Sequence, residues 1–244
     1  MNDLLARLPK AELHLHLEGT IGPETLWAVA QRNHVALPVG TLDELKRLYA
    51  FESFDTFLHL WMAMCRCLRT EADYALMVDA FVEECRRQNI RYVEAHFTPY
   101  NHERFGFGAR RALAVVTRQI EDAERQGGPV IRLITDIPSE SVPESGPFTV
   151  RLLEEEAHPL PRMLAAGVPV TLSTDDPPFF GTDLNREYAR AHLELGLPLS
   201  TLWQLDLNGL RYGLAETPLR RRLLKEFQAA GAALGLEPPG SPPA

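Results

Sequence analysis

Residues 12 to 19 read Glu12-Leu13-His14-Leu15-His16-Leu17-Glu18-Gly19. Side chains on a strand alternate between faces, so this spacing predicts a strand over residues 12 to 18. Leu13, Leu15 and Leu17 then share one face, and Glu12, His14, His16 and Glu18 share the other. Solvated strand faces favour Thr, Lys, Ser or Arg, whereas imidazoles at i and i+2 offer two nitrogens to one metal ion. The motif alone leaves both a solvated polar face and a metal site open, and the metal site needs a further ligand from elsewhere in the chain.

Composition narrows the class. A chain of 244 residues, 45% hydrophobic and 24% charged, is long enough for one large globular domain or two small ones. The net charge of -8, with only the short basic run Arg220 to Arg222, argues against a nucleic-acid polymer as partner. No apolar run reaches the length of a membrane span, and "MNDLLARLPK" lacks the features of a signal peptide. Cys65, Cys67 and Cys85 are odd in number and imply no disulfide framework, so a cytoplasmic chain with no membrane partner is expected. Cys65 and Cys67 fall about 200° apart on a helical wheel, a poor metal pair.

Beyond the opening strand, "GPETLWAVAQRN" and "DELKRLYAF" have helical spacing, and residues 53–69 and 71–88 read as two long helices whose Met and aromatic stripe is core. Strands are predicted at 91–98, 129–137 and 168–174, with the helix "GARRALAVVTRQIEDAERQG" between the first two. This alternation is that of βαβ units and a parallel sheet. Residues 139 to 163 break it, being rich in Pro, Ser and Glu; the helix "LPRMLAAG" restores it, and more helices run to about residue 231. One domain over 1–235 with a disordered tail at 236–244 is expected. In parallel α/β folds the reacting groups gather at the carboxyl ends of strands, where His14, His16 and Asp175 stand on two of them.

"LPKAELHLHLEGT" at 8–20 and "LAAGVPVTLSTDDPPFFGTDLNREY" at 164–188 resemble the first and last strand motifs of the adenosine deaminase family of amidohydrolase-type metal barrels. "FLHLWMAMCRCLRTEADY" and "NIRYVEAHFTP" are similar to elements between them. The resemblance implies an α/β fold of the (β/α)8 TIM-barrel type, one zinc ion, and hydrolytic deamination of a 6-aminopurine nucleoside or base. Residue by residue, it implies His14, His16 and Asp175 as metal ligands, Asp175 also as the catalytic carboxylate, and His16, Glu18, Gly19 and Asp176 as substrate contacts. Glu18, where the family more usually has Asp, leans toward adenine or another adenine-bearing metabolite.

The chain departs from the family pattern in one respect. A His-Ala-Gly-Glu type motif, source of a third histidine ligand and of the proton donor, and a His-x-x-Gly-His-Gly type motif are both absent from residues 138–170. Four strands, against the eight of a closed barrel, imply an incomplete barrel lacking about four βα units, with a seam near Glu154 to Glu156. Exposed strand edges raise the expectation of self-association. A second functional reading follows: a catalytically inactive relative that binds metal or ligand only. His96 and Glu94 share a strand face and could point into the site or be satisfied core residues; His34, His59, His102 and His192 receive no role. Other amidohydrolase chemistry would leave "STDDP" and "GTDLNREY" unexplained, and cytidine-type zinc deaminases need a P-C-x-x-C motif that does not occur.

Overall fold

The computed structural model describes residues 2–50, 53–135, 160–165 and 169–236. Helix α1 (Asn2–Arg7) leads into strand β1 (Lys10–His16), followed by α2 (Pro23–Arg32), α3 (Leu42–Tyr49), α4 (Phe54–Cys67) and α5 (Glu71–Gln88). Strand β2 (Ile90–Phe97), α6 (Pro99–Arg104), α7 (Ala109–Arg125) and strand β3 (Val130–Thr135) continue the alternation. After α8 (Leu160–Ala165), three helices complete the described chain: α9 (Leu184–Leu193), α10 (Leu199–Tyr212) and α11 (Thr217–Ala233). The strands form a parallel sheet in the order β1-β2-β3, with helices between them. This is an incomplete barrel of the (β/α)8 type.

Local chemistry sets these boundaries. Thr41 and Glu44 form a capping box at the start of α3, and Ser53 Oγ accepts from Thr56 N at the start of α4. Asn89 takes the left-handed conformation (φ 57°) that ends α5 and turns the chain into β2. Asp73 ties the α4–α5 corner together: its carboxylate accepts from Thr70 N at 2.7 Å, Thr70 Oγ1 at 2.8 Å and Arg69 N at 3.0 Å. The same carboxylate reaches across to α2, accepting from Asn33 Nδ2 at 2.7 Å and pairing with Arg32.

Two expectations need correction. The first strand runs from Lys10 to His16, not from 12 to 18, because Leu17 turns to a helical conformation (φ -60°, ψ -39°) and Glu18–Thr20 forms a single 3-10 turn. Glu18 has therefore left the strand and does not extend the histidine face, whereas Glu12 remains on the strand; both carboxylates are buried. The second concerns 168–174: residues 169–174 have no regular secondary structure, and a single parallel bridge joins Asp175 to Leu15. Pro169 lacks an amide proton, the Val170 carbonyl accepts from Asn208 Nδ2 at 2.9 Å, and Thr174 N donates to the Glu12 carboxylate at 2.8 Å. Ladder bonds to β1 are thus replaced by side-chain partners. The segment still lies against β1 on the side opposite β2, where the last barrel position must sit for the ring to close.

The core lies between sheet and helices. Helix α10 packs on β1 at a glycine: a Cβ on Gly209 would stand 2.9 Å from the Ala11 Cβ. Beneath it, Asp206 Oδ1 accepts from Ala11 N at 3.2 Å and Tyr188 Oη at 2.7 Å. Lys10, fully buried, donates from Nζ to the carbonyls of Leu8 and Gln88 at 2.8 and 2.9 Å. Burial pushes the Lys10 ammonium down and the Asp206 carboxyl up, each opposed by the other's charge. Cys65, Cys67 and Cys85 are buried free thiols, and Leu60, Met64 and Met77 belong to the core, as the stripe on these helices indicated. Among the described residues no helix is long and apolar enough to cross a membrane. The seam expected near Glu154 to Glu156, His158, and 237–244 of the expected tail lie outside the described residues.

Two stability predictions follow from these contacts. Asp73→Ala strands four donors and Arg32, and a loss of about 3 kcal/mol is expected in chemical denaturation; an unchanged midpoint would contradict the corner's role. Burial raises Glu12 from its ordinary value of 4.5 to about 7, against the opposing hydrogen bonds from Thr174. Between those two pH values the native state holds one proton more than the unfolded chain, so stability falls as pH rises through the window and levels off above it. The fall is roughly 3 kcal/mol, and Glu12→Gln should flatten it in melts taken across that range.

Candidate metal centre

His14 and His16 stand at the carboxyl end of β1, and Asp175 is brought between them by the backbone. His16 N donates to Asp175 O at 3.0 Å and Asp175 N donates to His14 O at 3.3 Å. Asp175 itself holds φ 62°, in the left-handed region where Asp is among the few tolerated side chains. That conformation follows the irregular segment 169–174 and precedes the bend at Asp176 and the turn at 177–181. Backbone strain of this kind is kept where surrounding contacts over-determine it.

The side chains converge. His14 Nε2 and His16 Nε2 lie 3.2 and 3.4 Å from the same atom, Asp175 Oδ1. One ligand atom from each of His14, His16 and Asp175 lies within 4.8 Å of the others. Asp175 is only partly buried, yet its Oδ1 is shielded from solvent and has no partner in hydrogen-bond geometry among the described residues. Burial opposes ionisation of Asp175, but the contact with His14 and the charges of His16, His14 and His96 outweigh it and hold the carboxyl below its ordinary range. The contact with Asp175 in turn raises His14, against its partial desolvation.

Glu18, Gly19 and Asp176 form a second group beside the first. A Cβ on Gly19 would lie 1.5 Å from Asp176 Oδ1 and 2.6 Å from its Cγ, so Asp176 occupies space that only glycine leaves open. Asp176 Oδ1 and Glu18 Oε2 are buried without hydrogen-bond partners among the described residues. Burial, followed by the charges of Asp175 and Glu18, pushes Asp176 up to about 8, so the isolated chain keeps this carboxyl neutral at pH 7. Glu18 is fixed by its other oxygen: Oε1 accepts from Thr98 N at 3.0 Å and contacts His102 Nε2 at 3.2 Å.

His102 thus has a structural place that its sequence context did not suggest. It is fully buried, with Nδ1 2.8 Å from Tyr74 Oη and its ring stacked on Phe97 at 4.9 Å. Its only sequence signal is its position just past the carboxyl end of β2, on α6. The strand-mates His96 and Glu94 part company. Glu94 is buried and accepts from Tyr92 Oη at 2.7 Å and from Leu214 N. His96 joins the site, with its ring centroid 4.7 Å from that of His14 and 5.4 Å from that of His16. His192 Nδ1 and His59 Nδ1 contact their own local carbonyls, Leu197 O and Asp55 O.

Two imidazoles and a carboxylate facing one point are a donor set suited to zinc and neighbouring divalent ions. Asp175 Oδ1 is shielded from solvent and faces both imidazole nitrogens without meeting hydrogen-bond geometry, so the residues fit a metal. The unpartnered oxygens of Glu18 and Asp176 beside it are available to a polar ligand.

The sequence model of the adenosine deaminase family matches residues 9–138 and 135–230. An adenine deaminase of Bordetella parapertussis is 38% identical over 145 residues, covering 58% of this chain and 46% of that protein. The chain spans about half the length of the curated relatives it matches. In fold, it is similar to the adenine deaminase of Arthrobacter aurescens, with a TM-score of 0.79 and 22% identity over 91% of this chain and 98% of that one. A Burkholderia ambifaria amidohydrolase with bound Zn gives the same TM-score, at 18% identity, over 97% of this chain and 95% of that one. With its two matched segments together spanning most of its length, the chain belongs to the adenosine deaminase family.

Proposed function

We propose that this chain, a single deaminase-like unit over residues 1–235, catalyses zinc-dependent hydrolytic deamination of a 6-aminopurine, with adenine favoured over adenosine. The observation that carries the reading is the convergence of His14 Nε2 and His16 Nε2 on Asp175 Oδ1. The name adenine deaminase borne by relatives that match at 38% identity supports the choice of base.

A bound zinc ion supplies Lewis acidity and brings a water's pKa toward neutrality. His14 and His16 would hold the ion, and Asp175 would orient the water and take one of its protons as the water attacks the amino-bearing ring carbon. The C–O bond would form as the C–N bond breaks; of the water's two protons, the one taken by Asp175 would pass to the departing amino group, which leaves as ammonia, and the other would end on the ring nitrogen beside the new carbonyl. Asp176, whose carboxyl is pushed up by burial and by the charges of Asp175 and Glu18, would donate a hydrogen bond to an acceptor nitrogen of the purine in its protonated form. Gly19 leaves room for that carboxyl, and Glu18, steadied by His102 and Thr98 N, offers Oε2 to a donor on the substrate.

The test is loss of adenine and adenosine absorbance on adding the zinc-loaded chain, beside a chelator-treated control. Chelator-sensitive turnover, faster on adenine, is expected; zinc-loaded protein without turnover would refute the catalytic reading and leave a metal- or ligand-binding relative. Asp175→Ala should lower turnover by roughly a thousandfold or more, and full activity in that variant would overturn its role. Asp176→Asn, which keeps a donor in place, should retain purine binding, whereas Asp176→Ala should raise KM about tenfold; an unchanged KM in Asp176→Ala would overturn its role.

A further inference from the structure

The metal centre described above uses two imidazoles, yet the structure gathers three. His96 is the direct register partner of His16 across the β1–β2 pair, so the two side chains leave neighbouring parallel strands on the same face. Leu17 N donates to His96 O at 2.8 Å, which holds β2 against β1 at the point where β1 turns away. The centroid separations among His14, His16 and His96 are 5.5, 4.7 and 5.4 Å. Imidazoles bound to one tetrahedral zinc through bonds of about 2.0–2.1 Å place their centroids about 5 Å apart.

We propose that His96 supplies the third imidazole to the metal held by His14, His16 and Asp175. Three nitrogens and one carboxylate oxygen would give four protein donors from two neighbouring strands and the segment on the other side of β1, and the attacking water would take a fifth position. The sequence has no His-Ala-Gly-Glu type motif to provide a histidine from a later strand, and β2 is the strand able to place one beside His16. The 4.8 Å group of ligand atoms comprises His14, His16 and Asp175 without His96, so the partly exposed His96 ring has to turn about its side-chain torsions to bring a nitrogen to the ion.

This inference rests on the reading of His14, His16 and Asp175 as a metal site, and the test separates the two. Zinc affinity is measured by competition with a chromophoric chelator for the full chain and for His14→Ala, His96→Ala, His96→Gln and the remote control His59→Ala. Both His96 variants should bind zinc roughly a hundredfold more weakly, His14→Ala at least as weakly, and His59→Ala normally. Zinc-edge X-ray absorption of the unsubstituted chain, which needs no variant to fold, should count three imidazoles, falling to two in His96→Gln. Undiminished affinity in the His96 variants, or a count of two in the unsubstituted chain, would overturn the role of His96 while leaving the centre standing. Undiminished affinity in His14→Ala would overturn the centre itself.

Discussion

Everything at the site depends on two backbone hydrogen bonds. His16 N to Asp175 O and Asp175 N to His14 O fasten a residue 159 positions further along the chain between two histidines of β1. No side chain has to reach: the left-handed turn of Asp175 and the parallel bridge to Leu15 aim the carboxylate at both imidazoles. A second fastening, Thr174 N to the Glu12 carboxylate, holds the approach to that turn. An incomplete barrel can therefore assemble this corner because its first and last strand positions are neighbours in the ring, and those are among the parts the chain retains.

The same corner concentrates unbalanced acid. Burial and the charges of Asp175 and Glu18 raise Asp176, and Asp176 and Glu18 each have a shielded oxygen without a hydrogen-bond partner among the described residues. Such groups are costly in a protein that never binds anything. Their environments differ in kind. Asp175 faces imidazoles and ionises readily, whereas Asp176 faces carboxylates and stays neutral until about pH 8. Two adjacent carboxyls are thereby set apart into a base and a hydrogen-bond donor, a division that suits water activation at one and purine binding at the other.

Much of this was legible in the residues. Period-two alternation marked β1, residue type marked its histidines, and the paired aspartates after a β-branched run marked the partner segment. The contacts that sequence pattern could not show are those fixed by three-dimensional neighbours. Leu17 reads as one more strand residue, yet it begins the 3-10 turn that buries Glu18 against His102. Residues 169–174 read as a strand, yet Pro169 and the side chains of Glu12 and Asn208 take the place of its ladder. His96 and Glu94 look alike on one strand face; only the register of β1 against β2 separates the one beside His16 from the one committed to Tyr92 and Leu214.

The account's central claim is that one metal ion sits where His14, His16 and Asp175 meet. Anomalous diffraction at the zinc edge, from crystals of the zinc-loaded chain, tests it most directly. The account predicts a single strong peak about 2.0–2.2 Å from His14 Nε2, His16 Nε2 and a carboxylate oxygen of Asp175. A peak bound elsewhere, or none at this point in zinc-saturated crystals, would contradict it.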